Sequence, residues 1–412
     1  MYAELRYDIR NIGFYIVSII FIVVAFFAIG FSPVFGFIYC LIALSLGIGK
    51  TLIVRSFYSL GAVFSCAVVA ASKNYATYNP SDDFSNNYWP VYQDLVNSKS
   101  FFDNVFADNY EYFLGFYLKI LTYINGTPFN QAQLMFVICF SVLVLFYIWL
   151  EALGLKRVAS DKKSLCVAMS IGLFQFLITL QYVRQIFALV FILYAVTFLL
   201  EKNKRKALIF FFLACISHTT SIILFPLYIL IMKKGKRVTI NIAILGGVIA
   251  VLFFGIVNFL SALSFGAQFF YKLSYYLQVG DRSNSLAGFK FLIPSLILSK
   301  FFFSKNEYLE SWKAFQINGA ILFSALFFIP ELPLRLFGLL IMILPGYLFF
   351  LSSYRIGNFF RVIIILYFIF YGYRLIIRDY ISLSGTEGDF MGLWYSYPWM
   401  GDHLFYYMRS LF

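Results

Sequence analysis

Long apolar runs separated by short polar segments occupy most of the chain. Many of these runs are long enough to cross a hydrocarbon core of about 30 Å as helices. They show no alternation of apolar and polar residues, so helices are favoured over the strands of a membrane barrel. The candidate spans are 11–31, 34–49, 56–72, 130–150, 164–180, 186–200, 207–217, 219–232, 238–260, 289–303, 314–330, 336–351 and 362–378.

The composition supports the same fold class. Hydrophobic residues make up 62% of the chain and charged residues only 12%, whereas a soluble domain carries about 25% charged residues. Backbone groups in lipid must be satisfied within their own segment, which favours helices further. The sequence therefore predicts an all-α, polytopic helical membrane protein with about 12 to 14 transmembrane helices, organised as a single membrane domain over residues 1–412.

The basic residues indicate the orientation of the chain. The net charge is +13, and the lysines and arginines cluster between apolar runs, as at 156–163, 202–206 and 233–237. Such clusters are typical of cytoplasmic loops. They do not form the basic face expected of a nucleic-acid-binding protein, so no nucleic-acid partner is expected. We predict a multi-pass protein of the bacterial inner (cytoplasmic) membrane with a cytoplasmic amino terminus, which places Lys50 and Arg55 inside as well.

The same rule decides two ambiguous segments. Segment 112–124 is apolar but short, and the basic clusters stay inside only if it is an interfacial or re-entrant helix on the outer side. Basic clusters bracket 207–232, which favours two short helices that meet at the outer face near His218. The prediction leaves a large outer (periplasmic) loop at 73–129 and an outer interfacial tail at 379–412.

Motifs for metals and nucleotides are missing from the sequence. The five cysteines lie inside apolar runs and show neither metal-ligand spacing nor a disulfide framework. No glycine-rich phosphate-binding loop is present. We therefore expect no metal and no cofactor, and an ATP-driven machine is disfavoured.

Several arginines fall on the predicted outer side, where the positive-inside rule expects few. An ionisable residue near a span is a functional candidate, although an arginine at a helix end also reaches the headgroups by snorkelling. The guanidinium fork matches phosphate geometry, so a lipid pyrophosphate at the membrane surface is the expected ligand. The candidates for pyrophosphate and substrate binding are Arg184 with Gln185, Arg335, Arg282 and Arg374.

Candidate acid–base residues lie on the same predicted side. A histidine such as His218 serves as acid or base, and a hydrogen-bonded histidine at a helix turn is the alternative. The acids of the outer loop, Asp82, Asp83 and Glu111, are candidates to activate a sugar hydroxyl, with a solvated acidic loop as the alternative. Aromatic rings in that loop either stack on sugars or sit at the interface as ordinary aromatics: Tyr88, Trp89 and Tyr92.

One stretch, 181–230, carries a moderately specific motif. It resembles the EpsG-like, Wzy-type polysaccharide polymerase family, in which an Arg-Gln helix is followed by an alanine, a histidine and a small hydroxyl residue. The family's acidic, tyrosine-rich outer loop is similar to the segment with Asp82, Asp83, Tyr88 and Glu111, although its Asp-Tyr pair is here Asp83-Phe84. The family also has an arginine on the outer side late in the chain, and Arg335 fits that position. The residues on the helical motif are Arg184, Gln185, Ala188, Ala214, His218 and Ser221.

The resemblance implies a GT-C-like membrane glycosyltransferase. Such an enzyme joins undecaprenyl-pyrophosphate-linked oligosaccharide repeat units at the outer face of the inner membrane, for lipopolysaccharide O-antigen, capsule or exopolysaccharide. It implies no metal or nucleotide sugar, and it implies the lipid bilayer and a chain-length regulator protein as partners. A lipid-linked glycan flippase, an O-antigen ligase and a membrane acyltransferase remain alternatives. A flippase would favour charges near mid-membrane, whereas these charges lie at one face.

Overall fold

The computed structural model describes residues 2–72, 83–97, 100, 110–176, 179–262, 283–329, 332–382 and 403–411. The regular elements in these ranges are helices, with no strand among them, which confirms the all-α prediction. The α-helices are α1 (Tyr2–Phe31), α2 (Pro33–Ser45), α3 (Leu52–Ala71), α4 (Trp89–Val96), α5 (Tyr112–Asn125), α6 (Gln131–Ala152), α7 (Lys163–Gly172), α8 (Val183–Leu200), α9 (Lys204–Ser217), α10 (Ser221–Ile231), α11 (Lys236–Ala262), α12 (Ser283–Phe302), α13 (Glu310–Leu326), α14 (Leu332–Leu336), α15 (Pro345–Ser352), α16 (Phe359–Ser382) and α17 (Met408–Leu411).

Shorter helical elements complete the described chain. Two π-helices (Phe84–Tyr88 and Leu339–Ile343) and two 3₁₀-helices (Gly154–Arg157 and Ser160–Lys162) lie between the α-helices. Every predicted span coincides with at least one helix. Two predicted spans are corrected: α7 ends at Gly172 rather than near 180, and 336–351 is shared among three elements. A proline opens α15 at Pro345, and because proline lacks an N–H it cannot continue the preceding helix.

By length and composition, three helices in the described ranges are long and apolar enough to cross a membrane. Three shorter apolar helices accompany them, which fits a polytopic protein whose shorter helices need protein around them. The long segments are Leu52–Ala71, Gln131–Arg157 and Val183–Leu200, and the shorter ones are Val17–Phe31, Pro33–Ser45 and Ser221–Ile231.

The chain divides into two compact units, which are considered separately. The first contains 1–188, 216–219 and 357–412, and the second contains 189–215 and 220–356. In the first unit, α2 packs against α1, α3, α7 and α16. Small residues allow the close approaches that membrane helices use in place of a hydrophobic driving force. A Cβ at Gly36 would lie 2.7 Å from the backbone of Ile29, and one at Gly372 would lie 2.7 Å from Ile38.

A buried ion pair joins α3 to α6 in this unit. Arg55 donates from Nε to Glu151 Oε1 at 2.6 Å and from Nη2 to Oε2 at 2.8 Å, and its residue is only 5% exposed. The sequence-based prediction counted Arg55 among the charges that set orientation. The structure adds that this charge has a bidentate partner, and the orientation stays a prediction.

The second unit is joined by hydrogen bonds between helices. Gln316 on α13 donates to Ser295 on α12 and accepts from Ser352 on α15 at 3.1 Å. Asn318, two residues further along α13, donates to the carbonyl of Ile231 at 2.8 Å and accepts from Thr239 at 2.9 Å. Such bonds hold membrane helices together because an unpaired polar group in lipid is unfavourable.

Gly172 provides a test of the packing around α7. An added Cβ would lie 2.4 Å from the ring of Phe368, which is completely buried. We expect Gly172→Ala to destabilise the protein by about 1–3 kcal/mol because a buried ring must move. Gly247→Ala is the matched control, since nothing lies within 4 Å of its Cβ position and alanine is the better helix former. Thermal unfolding in detergent measures both; equal midpoints for the two variants would contradict this packing.

Candidate functional site

A buried carboxylate lies at the centre of the site. Glu111 is 2% exposed and immediately precedes α5. Burying a charged carboxylate is strongly unfavourable unless it is paired and hydrogen-bonded. Arg184 Nη1 donates to its Oε2. The other oxygen, Oε1, accepts from His218 Nδ1 at 2.5 Å, from the Thr219 amide at 3.1 Å and from the Thr219 hydroxyl at 3.2 Å.

Aromatic packing brings the acid and the arginine together. Phe187 on α8 contacts two rings of α5, with centroid separations of 5.2 Å to Phe113 and 5.3 Å to Tyr117. Phe113 is two residues after Glu111, and Phe187 is one helical turn after Arg184, so contact between these faces places the two charged groups side by side. Residues separated by 73 positions in the sequence thereby form an ion pair.

The histidine lies in the turn between α9 and α10. The Ser221 hydroxyl donates to the Ala214 carbonyl at 2.9 Å and closes this turn. Because α9 ends at Ser217, His218 and Thr219 are released from the helix, and the amide of Thr219 is free to bind a carboxylate oxygen. The small hydroxyl and the alanine of the sequence motif therefore shape the turn that presents the histidine.

The residue before the acid adopts an unusual backbone conformation. Tyr110 has φ of 60° and is 71% exposed. The left-handed conformation is unfavourable by roughly 1–2 kcal/mol for a residue with a side chain, and such strain is concentrated at functional sites. Tyr110 lies at the surface, whereas the next residue, Glu111, is buried.

Tyr88 covers the other side of the arginine. The guanidinium carbon of Arg184 lies 6.0 Å from the centroid of its ring, within the range of a cation–π contact. Tyr88 is 3% exposed, so any contribution to substrate binding would act through Arg184 rather than through an open ring face. Burial raises the pKa of the Tyr88 hydroxyl, an effect that the charge of Arg184 opposes.

The cluster keeps Glu111 ionised. Burial by itself would raise the pKa of this carboxyl, but the hydrogen bond from His218, the charge of Arg184 and the hydrogen bond from the Thr219 amide together lower it below its usual value. An ionised carboxylate only accepts hydrogen bonds, so the His218 proton lies on Nδ1. The side chains of Arg184 and His218 are 26% and 15% exposed, and both groups therefore remain accessible beside a fully buried anion.

Two other predicted residues, Asp83 and Gln185, have contacts or burial of their own. The backbone amide of Asp83 donates to Gln181 Oε1 at 2.9 Å, and the Asp83 carboxylate accepts from Asn87 at 3.0 Å. Gln181 was not predicted as a site residue, although it begins the motif segment. Gln185 is 4% exposed and follows Arg184 on α8. The partners of the Glu111 carboxylate do not include Asp83, so the structure distinguishes the two acids.

The remaining predicted residues are Arg374, Arg335, Asp82 and Arg282. Arg374 is exposed on α16. Arg335 belongs to the second unit, where it lies on α14, and its role stays a prediction. Asp82 and Arg282 lie outside the described residues. Within the described ranges, no three His, Cys, Asp or Glu side chains are placed to hold a metal ion.

These features define a class: a polytopic helical membrane protein with a buried carboxylate that binds one arginine and one histidine. The chain belongs to the EpsG family, whose model matches residues 58–384. EpsG is a family of Wzy-like polymerases, so the chain is at a coarse level a polysaccharide polymerase or a related glycosyltransferase. The match includes Glu111, Arg184 and His218. No curated protein and no solved structure shows a significant match.

The lowered pKa of Glu111 makes its contribution to stability depend on pH. Because the folded pKa lies below the unfolded value of about 4.3, the contribution is complete above that value and is lost as pH falls through the folded pKa. We expect Glu111→Gln to be less stable than wild type at neutral pH, by about 3 kcal/mol, since it leaves Arg184 without its buried partner. The difference should shrink at acid pH.

Thermal unfolding of the detergent-solubilised protein across the acid range measures this difference. Glu310→Gln is the matched control, because Glu310 forms an exposed ion pair with Lys234, and such pairs contribute about 0–1 kcal/mol. A Glu111→Gln difference that stayed constant from neutral to acid pH would mean that the carboxylate charge is not what stabilises the cluster.

Proposed function

We propose that this protein polymerises undecaprenyl-pyrophosphate-linked oligosaccharide repeat units at the outer face of the bacterial cytoplasmic membrane. The observation that carries the proposal is the buried Glu111 carboxylate, which binds Arg184 and His218 at once while both remain partly exposed. The Arg184 guanidinium can bind a pyrophosphate, and the His218 imidazole can accept the proton of a sugar hydroxyl. Polymerisation requires both at the same place.

In this proposal His218 is the general base. Glu111 accepts a hydrogen bond from Nδ1–H, which fixes the ring orientation and leaves Nε2 as the acceptor. A carboxylate that is hydrogen-bonded to the Nδ1–H of a histidine also stabilises the imidazolium that forms when Nε2 takes a proton. The acceptor sugar hydroxyl would give its proton to Nε2 as its oxygen attacks. General-base catalysis of this kind contributes about 10²–10⁴-fold to a rate.

Arg184 holds the donor pyrophosphate. Its Nη1 is occupied by Glu111, and the ring of Tyr88 restricts the guanidinium on one side. A guanidinium held in this way is preorganised to stabilise negative charge that develops on a phosphate oxygen. The ion pair with Glu111 orients the Arg184 guanidinium and partly offsets its charge. Arg184 would therefore bind the pyrophosphate and still release undecaprenyl pyrophosphate after the reaction.

The bond changes follow from these two roles. The acceptor oxygen forms a bond to the anomeric carbon of the donor chain, and the bond from that carbon to the pyrophosphate oxygen breaks. The electron pair leaves with undecaprenyl pyrophosphate beside Arg184, and the proton of the acceptor hydroxyl moves to His218. The whole growing chain is transferred to the lipid-linked repeat unit, and no group outside the substrates and the cluster is needed.

A gel of surface polysaccharide tests the proposal. In a deletion strain complemented with wild type, we expect a ladder of chain lengths. With His218→Ala or Arg184→Ala we expect a single repeat unit, because the rate falls by about 10²-fold or more. Arg184→Lys should also be defective, since lysine keeps the charge but not the guanidinium fork.

Two controls match these substitutions in residue type. His403→Ala and Arg205→Ala alter exposed residues and should both retain the ladder. A ladder unchanged in Arg184→Ala would refute the pyrophosphate role. Full-length chains that accumulate on lipid in the deletion strain would indicate a ligase, and single units trapped on the inner leaflet would indicate a flippase.

The orientation required by the proposal has its own test. Cys215 is the one cysteine that is not fully buried, so Cys215→Ser provides a background of low reactivity. In spheroplasts, a membrane-impermeant maleimide should label Thr127→Cys, in the exposed segment after α5, but should label Lys204→Cys at the start of α9 only after lysis. The reverse result would place the cluster on the cytoplasmic side and refute the proposed location.

A further inference from the structure

An open cleft lies beside α4 in the first unit. Its volume is about 680 Å³, within the range of about 300–1,000 Å³ typical of small-molecule sites. Among the residues that line it are Trp89, Tyr92, Gln93, Asp94, Asn97 and Asn130.

The wall of the cleft is held in place by its own contacts. Trp89 stacks on Tyr92 with ring centroids 5.7 Å apart and an interplanar angle of 30°. The Tyr92 hydroxyl accepts a hydrogen bond from the Phe129 amide at 2.7 Å, which fixes the ring against the segment before α6. Because these side chains are already ordered, a ligand that binds here loses little affinity to their immobilisation.

The lining groups match the chemistry of a carbohydrate. Trp89 is half-buried and offers an aromatic surface for the C–H face of a sugar ring. Gln93 and Asn97 are exposed, and their amides both donate and accept hydrogen bonds, as sugar hydroxyls require. Asp94 adds an acceptor. No lysine or arginine lines the cleft within the described residues, so a phosphate is disfavoured as its ligand.

The cleft and the Glu111 cluster are connected through neighbouring residues of the same two helices, α4 and α5. Tyr88 contacts Arg184, and Trp89, which lines the cleft, is the next residue, about 3.8 Å away along the backbone. Lys119 on α5 donates to the Leu95 carbonyl on α4 at 2.7 Å, and α5 begins directly after Glu111. A glycan bound in the cleft would therefore extend from a sugar close to the reacting centre.

We propose that this cleft is a glycan-binding subsite that holds sugars of the lipid-linked chain away from the bond being formed. The identity of the ligand rests on the proposed function, since a polymerase must hold an oligosaccharide as well as a pyrophosphate. The subsite recognises rings and hydroxyls, whereas the Glu111 cluster recognises charge. Binding of sugars and chemistry at the pyrophosphate are therefore separable by mutation.

The test uses the full chain in nanodiscs and an array of immobilised short oligosaccharides that carry neither lipid nor pyrophosphate. We expect wild type to bind a subset of them, and Trp89→Ala to bind that subset about tenfold more weakly or worse. Trp89→Phe should retain part of the binding because it keeps a ring. Tyr123→Ala, which removes an exposed ring of α5 outside the cleft, should bind as wild type does.

A second cleft variant keeps the test valid if Trp89→Ala fails to fold. Gln93→Ala combined with Asn97→Ala changes only exposed side chains and should also weaken array binding. Arg184→Ala and His218→Ala should keep array binding even though they lose the polymer ladder. If wild type bound no oligosaccharide, or if both cleft variants bound as wild type, the subsite would be refuted. Array binding together with a normal ladder in Arg184→Ala would instead refute the proposed catalytic function alone.

Discussion

A single buried carboxylate imposes the main constraint on the candidate site. An ionised group that is 2% exposed is tolerated only when charges and hydrogen bonds surround it. Glu111 meets this requirement with one guanidinium, one imidazole, one amide and one hydroxyl. These partners come from distant parts of the chain, so the requirement joins the start of α5, the start of α8 and the turn after α9 in one arrangement.

The arrangement also separates two tasks. The anion is fully buried, whereas its two partners, Arg184 and His218, keep part of their surface exposed. Glu111 therefore acts as a positioning residue: it orients Arg184 and fixes the tautomer of His218 without contacting solvent. In this design, a low-dielectric environment strengthens the contacts that hold the groups, while the groups that meet the substrate remain accessible.

The same rule of polar pairing recurs within both units. Arg55 binds Glu151 with two hydrogen bonds, and Gln316 joins serines from two other helices. In the apolar environment implied by the composition, an unpaired polar group is more unfavourable than in water, so these pairs specify which helices pack together. The candidate site differs from these two groups because Arg184 and His218 keep part of their surface exposed, and because a residue with positive φ, Tyr110, lies beside it.

Much of the fold could be predicted because the information is local. The length and hydropathy of each run specify a helix, and α1 to α16 account for every predicted span, together with the helix at 112–124. The break within 336–351 and the end of α7 at Gly172 were missed, because they depend on proline geometry and on side chains of other helices. For the site, the motif at 181–230 indicated Arg184 and His218 before any contact was known.

The choice among acids could not be made from the sequence. Asp83 and Glu111 looked equivalent as polar residues of one loop, and only the packing of Phe113 and Tyr117 on Phe187 places Glu111 beside Arg184. Likewise, Tyr88 and Trp89 are neighbours with similar side chains, yet one is buried and the other lines a cleft. The sequence by itself determined the helices and the motif, because periodicity and hydropathy act over neighbouring residues. The tertiary structure decided which charges are partners, because that depends on contacts between residues more than 70 positions apart.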